Sequence, residues 1–239
     1  RAAARDSRRR DVRRWNMGLG PGRGGSVGEA TLDYCSENMR IRRRRCRSVT
    51  VGSVRIGGRA PISVQSMTNT PTADAGATIA QIRSLVEAGA QIVRVSVPDE
   101  ASAAALHRIV AESGVPIVAD IHFRHDLAVA AVEAGVAKLR INPGNIQRPA
   151  DVRVLAEKAA SRGIPIRVGI NSGSIPGHIR EKLGTGADAL WAAAERHLLL
   201  LAETGFTDTV ISLKASDPMT TVEANLRAAR ECDLPLHLG

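Results

Sequence analysis

The chain has 239 residues, enough to bury a core of barrel size, and a formal net charge of +9. That excess is local: residues 1–47 hold 14 Arg and five acidic residues, whereas residues 48–239 hold 19 basic and 19 acidic ones. A charge-balanced body with 2% aromatic residues offers nucleic acid neither a basic face nor stacking platforms, and no run approaches the roughly 18 apolar residues of a membrane-spanning helix.

Residues 1–47 are rich in Arg and Gly and poor in apolar residues, so they are expected to form a disordered basic leader. They lack the apolar run of a secretory signal. Tethering of nucleic acid by these Arg clusters is the minority reading. Cys35, Cys46 and Cys232 contain no Cys-x-x-Cys pair. They predict neither a disulfide framework nor a metal site, and a reducing cytoplasm is the expected setting.

The body, residues 48–239, opens with VTVGSVRIGG (49–58), two alternating runs around Gly-Ser that predict a β-hairpin. PISVQSMTNTPTAD (61–74) reads as a short strand and a polar loop. Ile79, Ile82, Leu85 and Val86 then recur at helical spacing over 77–89, with Gly89 as the stop. Five segments follow in which a helix-like stretch ends in Gly and an apolar run closes on polar residues. They predict strands near 92–97, 116–121, 137–142, 165–170 and 209–214. Helices are expected near 100–112, 126–134, 150–162, 188–204 and 219–231. Residues 171–187 form one long connection, and PLHLG (235–239) starts a seventh strand. Strands that are apolar at nearly every position are buried on both faces, as in a parallel sheet wrapped by helices. The expected fold is α/β, a (β/α)8 TIM-type barrel truncated within its seventh unit, preceded by the hairpin and the leader. An open doubly wound sheet is the alternative, and a truncated product that never folds is a third outcome.

Positions i and i+2 share a face of a strand. The strand ends therefore pair Arg94 with Ser96, Asp120 with His122, Arg140 with Asn142, Arg167 with Gly169 and Asn171, and Ser212 with Lys214. Three Arg, one Lys, one His and one Asp converge on one mouth. Crowded cations repel one another unless an anion joins them, and guanidinium forks fit phosphate. A phosphate or diphosphate ligand follows, with backbone N–H groups expected from Pro143-Gly144-Asn145 and Ser172-Gly173-Ser174. Each Arg alone reads equally well as a surface ion pair; the recurrence carries the signal. Asp120 is placed to orient His122. His107 and His197 are expected on helices facing solvent, and His178 lies in the long connection.

At VQSMTNT (64–70), RVSVP (94–98), ADIHF (119–123), LRINPGN (139–145), ISLKASD (211–217) and PLHLG, the chain resembles the 4-hydroxy-3-methylbut-2-enyl diphosphate synthases from about Arg47 onward. The resemblance implies reductive ring opening and dehydration of 2-C-methyl-D-erythritol 2,4-cyclodiphosphate in non-mevalonate isoprenoid synthesis. It also implies a [4Fe-4S] cluster, flavodoxin or ferredoxin as electron donor, and a homodimer. It implies that Arg94, Arg140, Arg167 and Lys214 hold the diphosphate and that Asn142, Asn145 and Asn171 add hydrogen bonds. Asp120 and His122 would be catalytic, with Gln65, Thr68 and Asn69 lining the cavity. The cluster cysteines are expected beyond Gly239, leaving this stretch with the diphosphate half and no turnover. The competing readings are a dihydropteroate-synthase-like pterin barrel and a non-catalytic fragment.

Overall fold

The computed structural model describes residues 43–121, 124–146 and 148–239. Most of the expected leader, together with His122, therefore lies outside the described residues. Residues Ser48–Val51 (β1) and Val54–Gly57 (β2) form the antiparallel hairpin. Gly52 turns it at φ 57°, a conformation that costs glycine little.

Six parallel strands follow: Gln65–Met67 (β3), Ile92–Val97 (β4), Ile117–Ile121 (β5), Lys138–Ile141 (β6), Ile166–Asn171 (β7) and Thr209–Lys214 (β8). Their helices are Ala75–Glu87 (α1), Glu100–Glu112 (α2), His125–Glu133 (α3), Pro149–Ser161 (α4), Gly177–Leu183 (α5), Ala187–Glu203 (α6) and Pro218–Glu231 (α7). Asp74, Asp99 and Asp217 cap α1, α2 and α7 by accepting backbone N–H groups from Ala77, Ser102 and Thr220. Glycines at φ between 62° and 101°, among them Gly89, Gly135 and Gly163, follow the helices and release the chain into the next strand.

The strands pair in chain order, β3-β4-β5-β6-β7-β8, without a reversal. A doubly wound sheet reverses where its second half begins; this one curls steadily, as a barrel does. Residues 235–237 lie along β8, with Ile211 N–H donating to Pro235 O at 3.0 Å and His237 N–H donating to Ile211 O at 2.8 Å. The main apolar core fills the space between the outer face of the sheet and the helices. A second cluster, Val51, Ile92 and Val118 with Val54, Ile56 and Ala137, seats the hairpin against the N-terminal ends of the strands. The inner face is left to polar side chains at the opposite end. The connection 171–187 is more structured than expected: it holds a 3-10 turn at Ser172–Ser174 and the helix α5.

Candidate functional site

Strand register builds the site in tiers. Ser96 (β4), Asp120 (β5), Arg140 (β6), Arg167 (β7) and Val210 (β8) are successive cross-strand neighbours. Gly169 neighbours Ser212 one step higher, and Asn171 neighbours Lys214 above that. Lys138 lies below, beside Val118 and two residues before Arg140.

These side chains enclose a cavity of about 340 Å³ lined by Arg94, Asp120, Arg140, Asn142, Asn145, Arg167, Asn171 and Lys214, with Gly169, Ser212, His237 and Gly239. Four cations thus face one lining carboxylate. Asp120, buried, accepts from Arg140 Nη1 at 2.8 Å and lies 3.5 Å from Arg94 Nη1. It braces two guanidinium groups; its expected pairing with His122 lies outside the described residues. Arg94 also lies against Met67, with Nη2 at 2.9 Å from Sδ. Arg167 is 2% exposed and its side chain has no hydrogen bond or ion pair to any described residue; its Nε and that of Arg140 are buried without a partner. Burial, reinforced by Arg94 and Arg140, lowers Arg167 to about 9. Burial likewise lowers Arg94, against the opposing pull of Asp120.

Two glycines make room for this arrangement. A Cβ on Gly169 would stand 2.9 Å from Arg140 Nε, so glycine there lets the guanidinium lie across the strand. A Cβ on Gly144 would stand 2.1 Å from the Ser174 carbonyl oxygen, so glycine brings the β6 and β7 loops together. Those loops spend N–H groups on themselves. Gly144 N–H donates to Asn142 Oδ1 at 3.0 Å and Asn171 N–H donates to Ser174 Oγ at 3.1 Å. Of the backbone N–H groups expected to meet an anion, those of Gly144 and Asn145 are thus engaged within the β6 loop, and the side chains carry the charge complementarity there.

Not every expected residue reaches this cavity. Gln65 lines a neighbouring cavity of about 390 Å³, between β3 and residues 235–238, together with Lys138 and His237. The backbone N–H of Asn69 donates to Gln81 Oε1 at 2.9 Å and its Oδ1 accepts from Gln81 Nε2 at 2.5 Å, on the exposed side of the β3 loop. Thr68 is buried with Oγ1 unpaired, and is not part of the cationic lining. His107 is exposed on α2, and His178 is exposed at 2.7 Å from Arg196. His197, expected in solvent, is 2% exposed on α6. Burial lowers it to about 4, and its partner is the backbone of Ile146. It anchors the β6 loop that carries Asn142 and Asn145.

Sequence reasoning missed Lys138 and His237. Lys138 is 1% exposed, and its Nζ donates to Gln65 Oε1 at 3.0 Å. Burial, with Arg167 and Arg94 nearby, lowers it to about 7. Burial and the cations Arg167, Lys138, Arg94 and Lys214 lower His237 to about 3, so the imidazole is neutral. Lys138 was legible as the i−2 partner of Arg140 on one strand face.

Among the described residues no group of three His, Cys, Asp or Glu side chains is placed to hold a metal. Cys46 and Cys232 are free, and burial raises the Cys232 thiol. These donors do not fit a [4Fe-4S] cluster, which takes four thiolates. Cys35 lies outside the described residues. No helix among the described residues is long and apolar enough to cross a membrane.

Residues 46–239 match the family described as the GcpE TIM-barrel domain. The chain is 51% identical over 199 residues to the 4-hydroxy-3-methylbut-2-en-1-yl diphosphate synthase (flavodoxin) of Natranaerobius thermophilus, covering 83% of this chain and 56% of that protein. It is also 51% identical over 200 residues to the Caulobacter vibrioides protein of the same name, covering 83% and 52%. It spans about half the length of these curated relatives. Among solved structures, Yersinia pestis dihydropteroate synthase superposes with a TM-score of 0.57 at 12% identity, covering 80% of this chain and 75% of that one. A truncated 3-deoxy-D-arabino-heptulosonate 7-phosphate synthase from Thermotoga maritima gives 0.56 at 13%, covering 81% and 69%. At such identities these two report the fold alone. Half-identity to the synthases and a match over nearly all the described residues go further: the chain belongs to the GcpE TIM-barrel domain family.

Proposed function

We propose that this chain binds the cyclic diphosphate 2-C-methyl-D-erythritol 2,4-cyclodiphosphate and forms the anion-holding half of a 4-hydroxy-3-methylbut-2-enyl diphosphate synthase. The observation that carries the reading is Arg167: a buried guanidinium without a partner, inside a ring of cations whose one carboxylate is already shared by two of them. Burying such a charge costs several kcal/mol unless a counter-ion joins it, and a diphosphate is that counter-ion.

In this reading Arg94, Arg140, Arg167 and Lys214 grip the phosphoryl oxygens. Asn142, Asn145 and Asn171 donate hydrogen bonds from the loops above. Asp120 acts on the forks, fixing two guanidinium planes before the ligand arrives, so little reorganisation is needed on binding. When the ring opens, the carbon–oxygen bond to phosphate breaks and charge grows on the departing oxygen. Fixed cations in a water-poor cavity stabilise that charge more than water does. His122 belongs to the same strand end by sequence, and its role stays with the family resemblance.

The electrons for a reductive opening come, by the relatives' names, from flavodoxin. The [4Fe-4S] cluster implied by the resemblance finds no donor set among the described residues. We assign these residues the binding of the anion, and expect residues 1–239 alone to bind without turnover. Among the described residues the cavity lining contains no Phe, Tyr, Trp or large aliphatic side chain to sandwich a pterin, which disfavours the rival barrel reading. Calorimetric titration of the chain with the cyclodiphosphate tests the proposal. Saturable binding, displaced by inorganic pyrophosphate and unaffected by a pterin, is expected; displacement by the pterin, or no binding at all, overturns it.

A further inference from the structure

Lys138 has no place in the anion grip described above, yet it is buried on the same inner face. Its Nζ meets one described hydrogen-bond partner, the neutral amide oxygen of Gln65 at 3.0 Å. Among the described residues no carboxylate is paired with it. The charged groups felt from the neighbouring strands are Arg94 on β4 and Arg167 on β7, both cationic. Arg140 follows it on β6, with Asp120 of β5 already engaged by Arg140 and Arg94. β8 offers the apolar Val210, which lines the lower cavity with Lys138, and the last segment offers His237, a neutral imidazole that lines both cavities. From the N-terminal side Arg43, Arg44 and Cys46 line the lower cavity. An ammonium so placed has two guanidinium groups nearby and, among the described residues, no anion of its own.

We propose that anion binding in the upper cavity is coupled to proton uptake by Lys138, a positioning residue that matches the charge of the site to the charge of its ligand. This rests on the anion-binding reading above. Without ligand, burial and the nearby guanidinium groups favour the free amine. A dianion among Arg94, Arg140 and Arg167 cancels their repulsion, and the amine takes a proton from solvent to become ammonium. No bond other than N–H forms. Gln65 accepts from either form, so the side chain stays in place through the change. The lower cavity, which Lys138 and His237 share, gives the proton a path that does not cross the bound anion.

The test is calorimetric titration of the whole chain with sulfate at pH 8 and pH 6, in buffers of different ionisation enthalpy. Sulfate does not titrate in this range, so any proton exchanged belongs to the protein. Uptake approaching one proton per sulfate is expected at pH 8, falling to a small fraction at pH 6, where Lys138 is already charged. Lys138→Met abolishes the uptake. Gln65→Glu abolishes it independently, because a carboxylate at the amide's position holds Lys138 charged throughout; a merely structural role for Lys138 would not produce that effect. His237→Asn leaves the uptake in place. Sulfate binding without proton exchange, or uptake that survives in Lys138→Met or Gln65→Glu, overturns this inference and spares the anion site. Absence of sulfate binding at both pH values overturns the anion site and this inference with it.

Discussion

Replacing Arg167 by Met removes a charge that the unliganded protein holds at a loss. Burial and two neighbouring guanidinium groups bring Arg167 well below the ordinary arginine range, to about 9. At roughly 1.4 kcal/mol per tenfold, keeping it charged at neutral pH costs on the order of 5 kcal/mol. Relaxation around the site absorbs part of that, leaving about 1–3 kcal/mol of stabilisation for an apolar side chain of similar length. In a domain of this size that raises Tm by about 3–9 °C. Ligand binding moves the other way. One lost charge-assisted contact costs about 1.5–3 kcal/mol, a roughly 10- to 100-fold weaker Kd. Thermal unfolding in anion-poor buffer, repeated with added sulfate, reads both effects. The wild-type chain gains stability with sulfate, while Arg167→Met begins higher and gains little. A variant that melts below wild type without sulfate would show that Arg167 holds the fold together, and would refute the reasoning.

Other expectations follow from the same geometry. Gly144→Ala places a methyl 2.1 Å from the Ser174 carbonyl oxygen, so the β6 and β7 loops must part at a cost of about 1–3 kcal/mol, and sulfate affinity falls. Gly173→Ala, whose Cβ meets nothing within 4 Å, stays neutral, and equal behaviour of the two variants in denaturant and sulfate titrations would contradict the loop contact. Stability should rise with pH in anion-poor buffer between about 7 and 10.5: over that window the unfolded chain holds the Lys138 proton more tightly than the folded one. Below pH 7 both states hold the proton and the cost is fully present. Denaturant unfolding at pH 6 and pH 9 checks this, and Lys138→Met should flatten the slope; an unchanged slope contradicts it. Asp120→Asn removes the brace shared by Arg94 and Arg140, and is expected to lower stability by about 3–5 kcal/mol in a chemical-denaturation curve; a near-neutral result would show that the guanidinium groups are held otherwise.

Much of this was legible in the sequence because the chain repeats one local grammar. Apolar runs bounded by Gly and polar residues gave β4 and β8 at the bounds observed, Ile92–Val97 and Thr209–Lys214. The i, i+2 rule gathered Arg94, Asp120, Arg140, Asn142, Arg167, Asn171 and Lys214 on one face, and these line one cavity. What escaped depends on three-dimensional closure. A Lys at the start of a strand reads as a solvent edge; its i−2 spacing from Arg140 marks its face, and the curling of the sheet is what buries Lys138. The helix α5 is hidden by Pro176, Gly177, Gly184 and Gly186, which punctuate its sequence like a loop. His197 lies at helical spacing from the buried Trp191, Ala194 and Leu201 on α6, a signal that its polarity concealed. Thr68 and Asn69 sit beside a strand of three residues, where alternation is too short to assign a face.

The central claim is that cations from separate strands share one anion, and a crystal structure of the chain grown with pyrophosphate tests it most directly. The diphosphate should lie between the guanidinium groups of Arg94, Arg140 and Arg167 and the Lys214 ammonium, with Arg167 Nε no longer unpaired. Pyrophosphate bound elsewhere, or a cavity that stays free of it while Arg167 remains buried, would contradict the claim.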